Sequence, residues 1–413
     1  MAPVTRSQTS ASSTLLRIRN SSEPPVYRLD LSLPPRKRHS EICRDFKQHL
    51  QDLCPLYDEV MAQTPFPHLN KFLARLLLTR VYSKEETEEI RGISLDAGIP
   101  KHMVVALNTF LDLLSSCLSG GVQVDDSGPS GRSTGIVHFR NLDWGMDVLR
   151  RLTICLEYVR NGAVIARAVT YAGYVGVLTG VRQGLSVSYN YRPHFNPTVS
   201  KIRHYFHQTM LILGTRPSAS SRLRSILLSP TQSPSSWTPL SINAQVNKYP
   251  SCPCYLTFCT LDTHNTRKGF MEGWTREQWE ELYQKYQKRE SSSNPESLAP
   301  REIIEDSMER HACVCRLWEG TQSRSQSQTG TKTRVQKHNK TTEIIDWLQT
   351  RPLLNECTHY SCIMDPSVEG GGLIWVKRYV EPVDMVEDVN EETDEGEGMS
   401  DSGDVSGSLD SDA

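Results

Sequence analysis

Over the first hundred positions the apolar residues return at helical rather than strand spacing, with one exception. Residues 24–33, Pro-Pro-Val-Tyr-Arg-Leu-Asp-Leu-Ser-Leu, alternate apolar and polar, which suits a half-buried strand. From Arg36 to Gln63, the positions Cys43, Phe46, Leu50, Leu53 and Leu56 follow a helical period, and Leu69, Phe72, Leu73, Leu76 and Leu77 mark a second helix. Ser83 with Glu86 three residues later is a capping box, so a third helix starts there and ends near Gly98. Pro100 suits the first turn of a fourth. Its stripe Met103, Leu107, Phe110, Leu111 and Leu114 turns one face inward, and the helix is expected to end in Ser115-Ser116-Cys117.

Beyond Cys117 the period changes to two. A turn-rich loop, Asp125-Asp126-Ser127-Gly128-Pro129-Ser130-Gly131, interrupts residues 122–135. Leu152, Ile154, Leu156 and Tyr158 alternate with Thr153, Cys155, Glu157 and Val159, and Asn161-Gly162 then reads as a type I′ hairpin turn, because both residues tolerate positive φ. Residues 163–171 return as a strand, Tyr171 to Gly180 reads as strand broken by glycines, and further strands fall at 185–190 and 254–259. Helices are predicted at 201–214, 218–228, 274–287 and 300–318, before a closing hairpin built from 355–366 and 373–376. Hairpin-linked strands make an antiparallel sheet, and the helices must cover it, so the fold class is a layered α+β.

Composition narrows the function classes. A formal charge of -2 over 413 residues gives no general attraction to nucleic acid. Charge is local instead: residues 322–340 are basic and residues 381–413 acidic, both poor in apolar side chains and expected to stay solvated. Residues 1–24 contain no apolar stretch of signal-peptide type, and no run is long enough to cross a bilayer, which leads to the expectation of a cytoplasmic protein with reduced thiols. With eleven cysteines, at least one thiol stays unpaired in a monomer. Cys252-Pro253-Cys254 and Cys313-Val314-Cys315 have one intervening residue where zinc knuckles prefer two, so no metal is assigned to them. The glycines of 173–180 lack the Gly-Lys-Ser/Thr of a phosphate loop, and no cofactor is called for.

Four stretches together carry a resemblance: a cysteine at 117, Arg140-Asn141-Leu142-Asp143-Trp144, Gly173-Tyr174-Val175-Gly176-Val177-Leu178-Thr179-Gly180, and the opening Pro24-Pro25-Val26-Tyr27. Their order resembles the acid ceramidase and N-acylethanolamine acid amidase family. It implies a four-layer αββα sandwich of the N-terminal-nucleophile hydrolases, with residues 24–116 as the part released by self-cleavage and 117–382 as the catalytic half. Residues 1–23, an insert at about 320–341, and 383–413 would lie outside the packed body. Cys117 would be the nucleophile, freed by cleavage of the Ser116–Cys117 bond. Arg140 and Asp143 would flank it, Arg310 would join them from a later helix, and Asn265 would donate to the oxyanion. Trp144, Tyr174, Thr179 and Arg192 would bind the substrate, the first three along its acyl chain. The chain departs from its relatives at Leu118, where they carry threonine, and at Tyr191, where they carry glutamate. The implied reaction is hydrolysis of the N-acyl bond of ceramide to sphingosine and fatty acid. Cleavage of N-acylethanolamines or other fatty amides stays open, as does a non-catalytic lipid-binding relative.

Overall fold

The computed structural model describes residues 22–110, 116–124, 135–191, 201–230, 237–250, 254–261, 267–272, 299–326 and 340–383. Eleven strands among them form two sheets. The first sheet contains β1 (Val26–Asp30), β4 (Thr153–Arg160), β5 (Ala163–Tyr171), β6 (Thr179–Arg182), β7 (Leu185–Tyr191), β8 (Cys254–Leu261) and β9 (Arg267–Glu272), in that spatial order. The second contains β11 (Gly372–Arg378), β10 (Thr358–Asp365), β3 (Gly135–Asp143) and β2 (Ser116–Val124). All pairings are antiparallel except β1 with β4, so the early strand joins the main sheet from outside the hairpin sequence.

The predicted helices before Cys117 form, in more pieces than their period suggested. They are α1 (Ser40–Asp45), α2 (Lys47–Gln51), α3 (Leu53–Ala62), α4 (Pro67–Leu77), α5 (Lys84–Ala97) and α6 (Lys101–Phe110). Ser83 caps α5 by accepting from the Glu86 N–H, and Gly98 closes it with φ 71°. Cys43, Phe46, Leu50, Ile90 and Ile93 enter the main core. Helix α4 forms, but its apolar stripe stays outside: Leu69, Phe72 and Leu76 are 53, 62 and 60% exposed. Helix α6 is described as far as Phe110, and its buried face includes Val104, Val105, Asn108 and Thr109 rather than the expected Met103 and Leu107. The cysteine expected at a helix end therefore lies on a strand, because Ser116 to Val124 pairs along the whole length of β3.

Asn161 and Gly162 take φ values of 52° and 80°, the left-handed pair a type I′ turn needs, and join β4 to β5. The glycine-rich stretch is a correction. Residues 172–178 form turns rather than strand, opened by Gly173 at φ 86°, and only Thr179–Arg182 pairs in the sheet.

The two sheets face each other. Outside the second lie α10 (Ala299–Gln326) and α11 (Thr341–Leu348), where Cys313, Ile344, Trp347 and Leu348 pack on Val122, Val124, Val137 and Phe139. Outside the first, α8 (Ala219–Leu227) sends Leu223, Ile226 and Leu227 into the core beside β6 and β7, and the early helices pack farther along the same core. The architecture is thus an αββα sandwich with an N-terminal helical region attached. Helices α7 (Lys201–Ile212) and α9 (Pro239–Val246) complete the described helices. The predicted helix at 274–287 and the tails before 22 and after 383 lie outside the described residues. Part of the expected basic insert is helical instead, since α10 continues to Gln326.

Candidate active site

Alternation along β2 and β3 decides which side chains meet. On β3, Val137 and Phe139 pack toward α10 and α11, while Asn141 donates to the Leu348 and Leu353 carbonyls on the same side. His138, Arg140 and Leu142 consequently face the first sheet. On β2, Leu118, Val122 and Val124 join the outer cluster, and Cys117 and Ser119 face inward. Register places Cys117 opposite Leu142 and Ser116 opposite Asp143. The Ser116–Cys117 linkage therefore has the Arg140 side chain on one face of the sheet and the Asp143 residue beside it on the neighbouring strand.

Arg140 is fully buried and organises the inner face. Its Nη2 donates to the Cys117 Sγ at 3.1 Å and to the Tyr189 carbonyl at 2.6 Å, and its Nη1 donates to the Asn190 Oδ1 at 3.1 Å. Burial lowers the guanidinium's pKa, but Cys117, Tyr360, Cys362 and Tyr171 more than reverse this, so it stays charged. A guanidinium at that distance stabilises negative charge on sulfur, and Cys117 itself is only half-buried. Asn190 adds a second contact: its Nδ2 donates to the Cys117 carbonyl at 3.3 Å, while its Oδ1 also accepts from the Ser119 hydroxyl at 3.0 Å. Ser119 lies 3.1 Å from the Thr257 hydroxyl on β8. Asn190 precedes Tyr191, the position at which the resemblance calls for a carboxylate, and its own role depends on β7 lying beside β2.

Asp143 points the other way. One oxygen pairs with Arg310 on α10, and the other accepts from the Thr358 hydroxyl at 2.7 Å. Burial raises its pKa, while Arg310 and Thr358 oppose the rise. Arg310, which also pairs with Asp306, is held well above its ordinary value by these carboxylates despite burial. Of the sequence-derived set, Arg140 touches the Cys117 sulfur, whereas Asp143, paired with Arg310, is placed beside the linkage only by the strand register that sets it opposite Ser116.

The expected acyl contacts fare differently. Trp144, Tyr174 and Thr179 are packed inside the core: Trp144 stacks on His359, and Thr179 is 2.7 Å from the Tyr360 hydroxyl. Their place in the sheet-to-sheet core follows from the apolar surroundings at 171–181. Arg192 and Asn265 lie outside the described residues. Farther along the inner face, His138 bridges Ser186 and Ser188 at 3.0 and 2.9 Å, and burial, aided by Arg140, lowers its pKa to about 3. Among the described residues no group of three His, Cys, Asp or Glu side chains is placed to hold a metal ion.

Parts of the chain are similar to known proteins. A family model described as the beta subunit of N-acylethanolamine-hydrolyzing acid amidase matches residues 22–81. An N-acylethanolamine-hydrolyzing acid amidase of Caenorhabditis elegans is 32% identical over 179 residues, which is 41% of this chain and 48% of that protein. Acid ceramidases of Mus musculus and Homo sapiens are 30% and 28% identical over 190 residues, 42% of this chain and 46% of theirs. Over these residues the chain is similar to the acid ceramidase and N-acylethanolamine acid amidase family. The chain spans about half the length of the curated relatives it matches. A solved structure of the Caenorhabditis elegans N-acylethanolamine-hydrolyzing acid amidase ortholog aligns with a TM-score of 0.37 and 19% identity, covering 61% of this chain and 94% of that one. The family model carries the beta-subunit name yet matches the N-terminal part, where the motifs lead one to expect the released segment. No helix of the described residues is long and apolar enough to cross a membrane.

Proposed function

We propose that this chain is an amidase that first cuts its own Ser116–Cys117 bond and then hydrolyses the N-acyl bond of a lipid amide, ceramide before other fatty amides. In the first step the Cys117 Sγ attacks the Ser116 carbonyl carbon, the C–S bond forms, the C–N bond breaks, and the Cys117 nitrogen takes up the proton. Water then releases Ser116 as a carboxylate and restores the thiol. The exposed α-amine, with a pKa of roughly 8, can accept the thiol proton and return it to a departing amine. An amide substrate repeats the sequence: its acyl group passes to sulfur, its amine leaves protonated, and water frees the fatty acid.

The observation that supports this most is the 3.1 Å contact between the Arg140 guanidinium and the Cys117 sulfur, on a strand whose preceding residue pairs with Asp143. An inert core cysteine has no need of a buried cation. N-acylethanolamines are the alternative substrates, because relatives named for ceramidase and for N-acylethanolamine hydrolysis match at similar identity. Fatty-acid release from ceramide and from N-acylethanolamines, measured side by side from pH 4 to 8, tests the reading. Release from at least one, abolished in Cys117→Ala, is expected. No release from any fatty amide by a protein cut at 116–117 would overturn it.

A further inference from the structure

A register irregularity beside the site selects which side chain meets Asp143. Strand β10 pairs regularly with β3 from Met364 opposite His138 to Tyr360 opposite Leu142, and a regular ladder would next set His359 against Asp143. The register instead shifts by one residue, and Thr358 stands opposite Asp143. A bulge of this kind re-aims side chains, and bulges recur next to active sites. Here it sends His359 to the other side, where its Nδ1 is 2.8 Å from the Tyr171 hydroxyl and its ring stacks on Trp144. Thr358 turns its hydroxyl to the carboxylate.

Resting on the amidase reading above, we propose that Thr358 is a positioning residue for Asp143. Its hydroxyl fixes the carboxylate's rotation and keeps it charged beside the Ser116–Cys117 linkage. The Thr358 Oγ1 donates to the Asp143 Oδ1 at 2.7 Å, in preference to the Asn355 Oδ1 at 3.4 Å, and accepts from the Asn355 N–H at 3.1 Å. The Thr358 carbonyl accepts from the buried Arg150 Nη1 at 2.5 Å, which anchors the backbone at the bulge. Arg310 holds the other oxygen, yet it shares its guanidinium with Asp306 and reaches the site from a separate helix. Thr358 is part of the strand hydrogen-bonded to β3 itself. A carboxylate with both oxygens held presents one defined edge to the linkage beside it, first to the peptide and then to the new ammonium. Burial raises the pKa of Asp143 and the Thr358 hydrogen bond opposes the rise, in keeping with this role.

Two full-length variants separate the hydroxyl from packing: Thr358→Val, nearly the same shape without the hydroxyl, and Thr358→Ser, which keeps it. Cleavage at 116–117 is followed by intact mass from pH 4 to 8. Thr358→Val is expected to cleave about tenfold or more slowly, with its pH dependence displaced to higher pH, and Thr358→Ser to restore the rate to within about threefold. A second readout does not need cleavage. In a Cys117→Ala background, the stability deficit of Thr358→Val relative to Thr358→Ser should grow by about tenfold in folding equilibrium constant between pH 4 and 7, because the hydroxyl stabilises only the charged carboxylate. A deficit independent of pH, or equal cleavage rates and profiles for the three proteins, would overturn the proposal. A wild-type chain that never cleaves, combined with a deficit that does grow with pH, would overturn the amidase reading while leaving the Thr358–Asp143 coupling in place.

Discussion

Arg224→Met tests how the helices before Cys117 are fastened to the sandwich. Glu89 on α5 is fully buried and receives Arg224 of α8 through two nitrogens, one of them at 2.7 Å, while Arg38 donates at 2.7 Å. Burial alone would raise the carboxyl's pKa, but Arg224 and His39 pull it well below the usual carboxylate range. That stability is fully present above the unfolded pKa near 4.5 and is lost as pH falls below it. Methionine keeps an unbranched, flexible stem and removes the charge. Breaking a buried pair costs about 3–5 kcal/mol, and because Arg38 remains, the lower end of that range applies. The Arg224 hydrogen bond to the Val175 carbonyl, 2.9 Å long, is lost as well and adds about 1 kcal/mol. At about 2 °C per kcal/mol for a chain of this size, Tm should fall by about 8 °C at pH 7. Chemical denaturation and thermal scans at pH 7 provide the measurement, with Arg28→Met as the control. Arg28 pairs with Glu157 at the surface, is 69% exposed, and should cost less than about 1 kcal/mol. An Arg224→Met protein as stable as that control would show that the Glu89 cluster does not hold the early helices in place.

Glu86 is buried against Ser221, and burial raises its pKa to about 7, so the folded chain keeps a proton that the unfolded chain releases from pH 4.5 upward. Stability should therefore decline as pH rises from about 4.5 to 7, by up to about 3 kcal/mol, and Glu86→Gln should flatten that decline in melting curves taken across the range. Arg140→Lys keeps the charge but loses the fork that reaches sulfur, amide and carbonyl together. Cleavage at 116–117 and any later turnover should both fall by about a hundredfold, read from fragment appearance and fatty-acid release.

The sequence carried most of the layer plan because alternation and turn chemistry act locally. Asn161-Gly162 was readable from two residues, as was the Ser83 cap. What escaped was decided at long range. Val26–Asp30 pairs in parallel with a strand more than a hundred residues later, and nothing in its own alternation announces that partner. The run before Cys117 was expected to be one helix ending in the cysteine, but pairing with β3 claims Ser116 onward as strand. Around the candidate site, Cys117, Arg140, Asp143 and Arg310 stand out in the sequence only through the resemblance, whereas Asn190 and Thr358 are ordinary residues until β7 and β10 bring them beside Arg140 and Asp143. Trp144, Tyr174 and Thr179 show the converse, since buried aromatic and hydroxyl side chains match a binding pocket and a packed interior equally well in sequence.

Intact-mass analysis of the purified full chain after incubation between pH 4 and 8, alongside Cys117→Ala, tests the central claim most directly. The account predicts two fragments for the wild type, one ending at Ser116 and one beginning at Cys117, and a single uncut chain for the variant. A wild-type chain that stays whole at every pH, or a Cys117→Ala chain that is cut at the same bond, would contradict it.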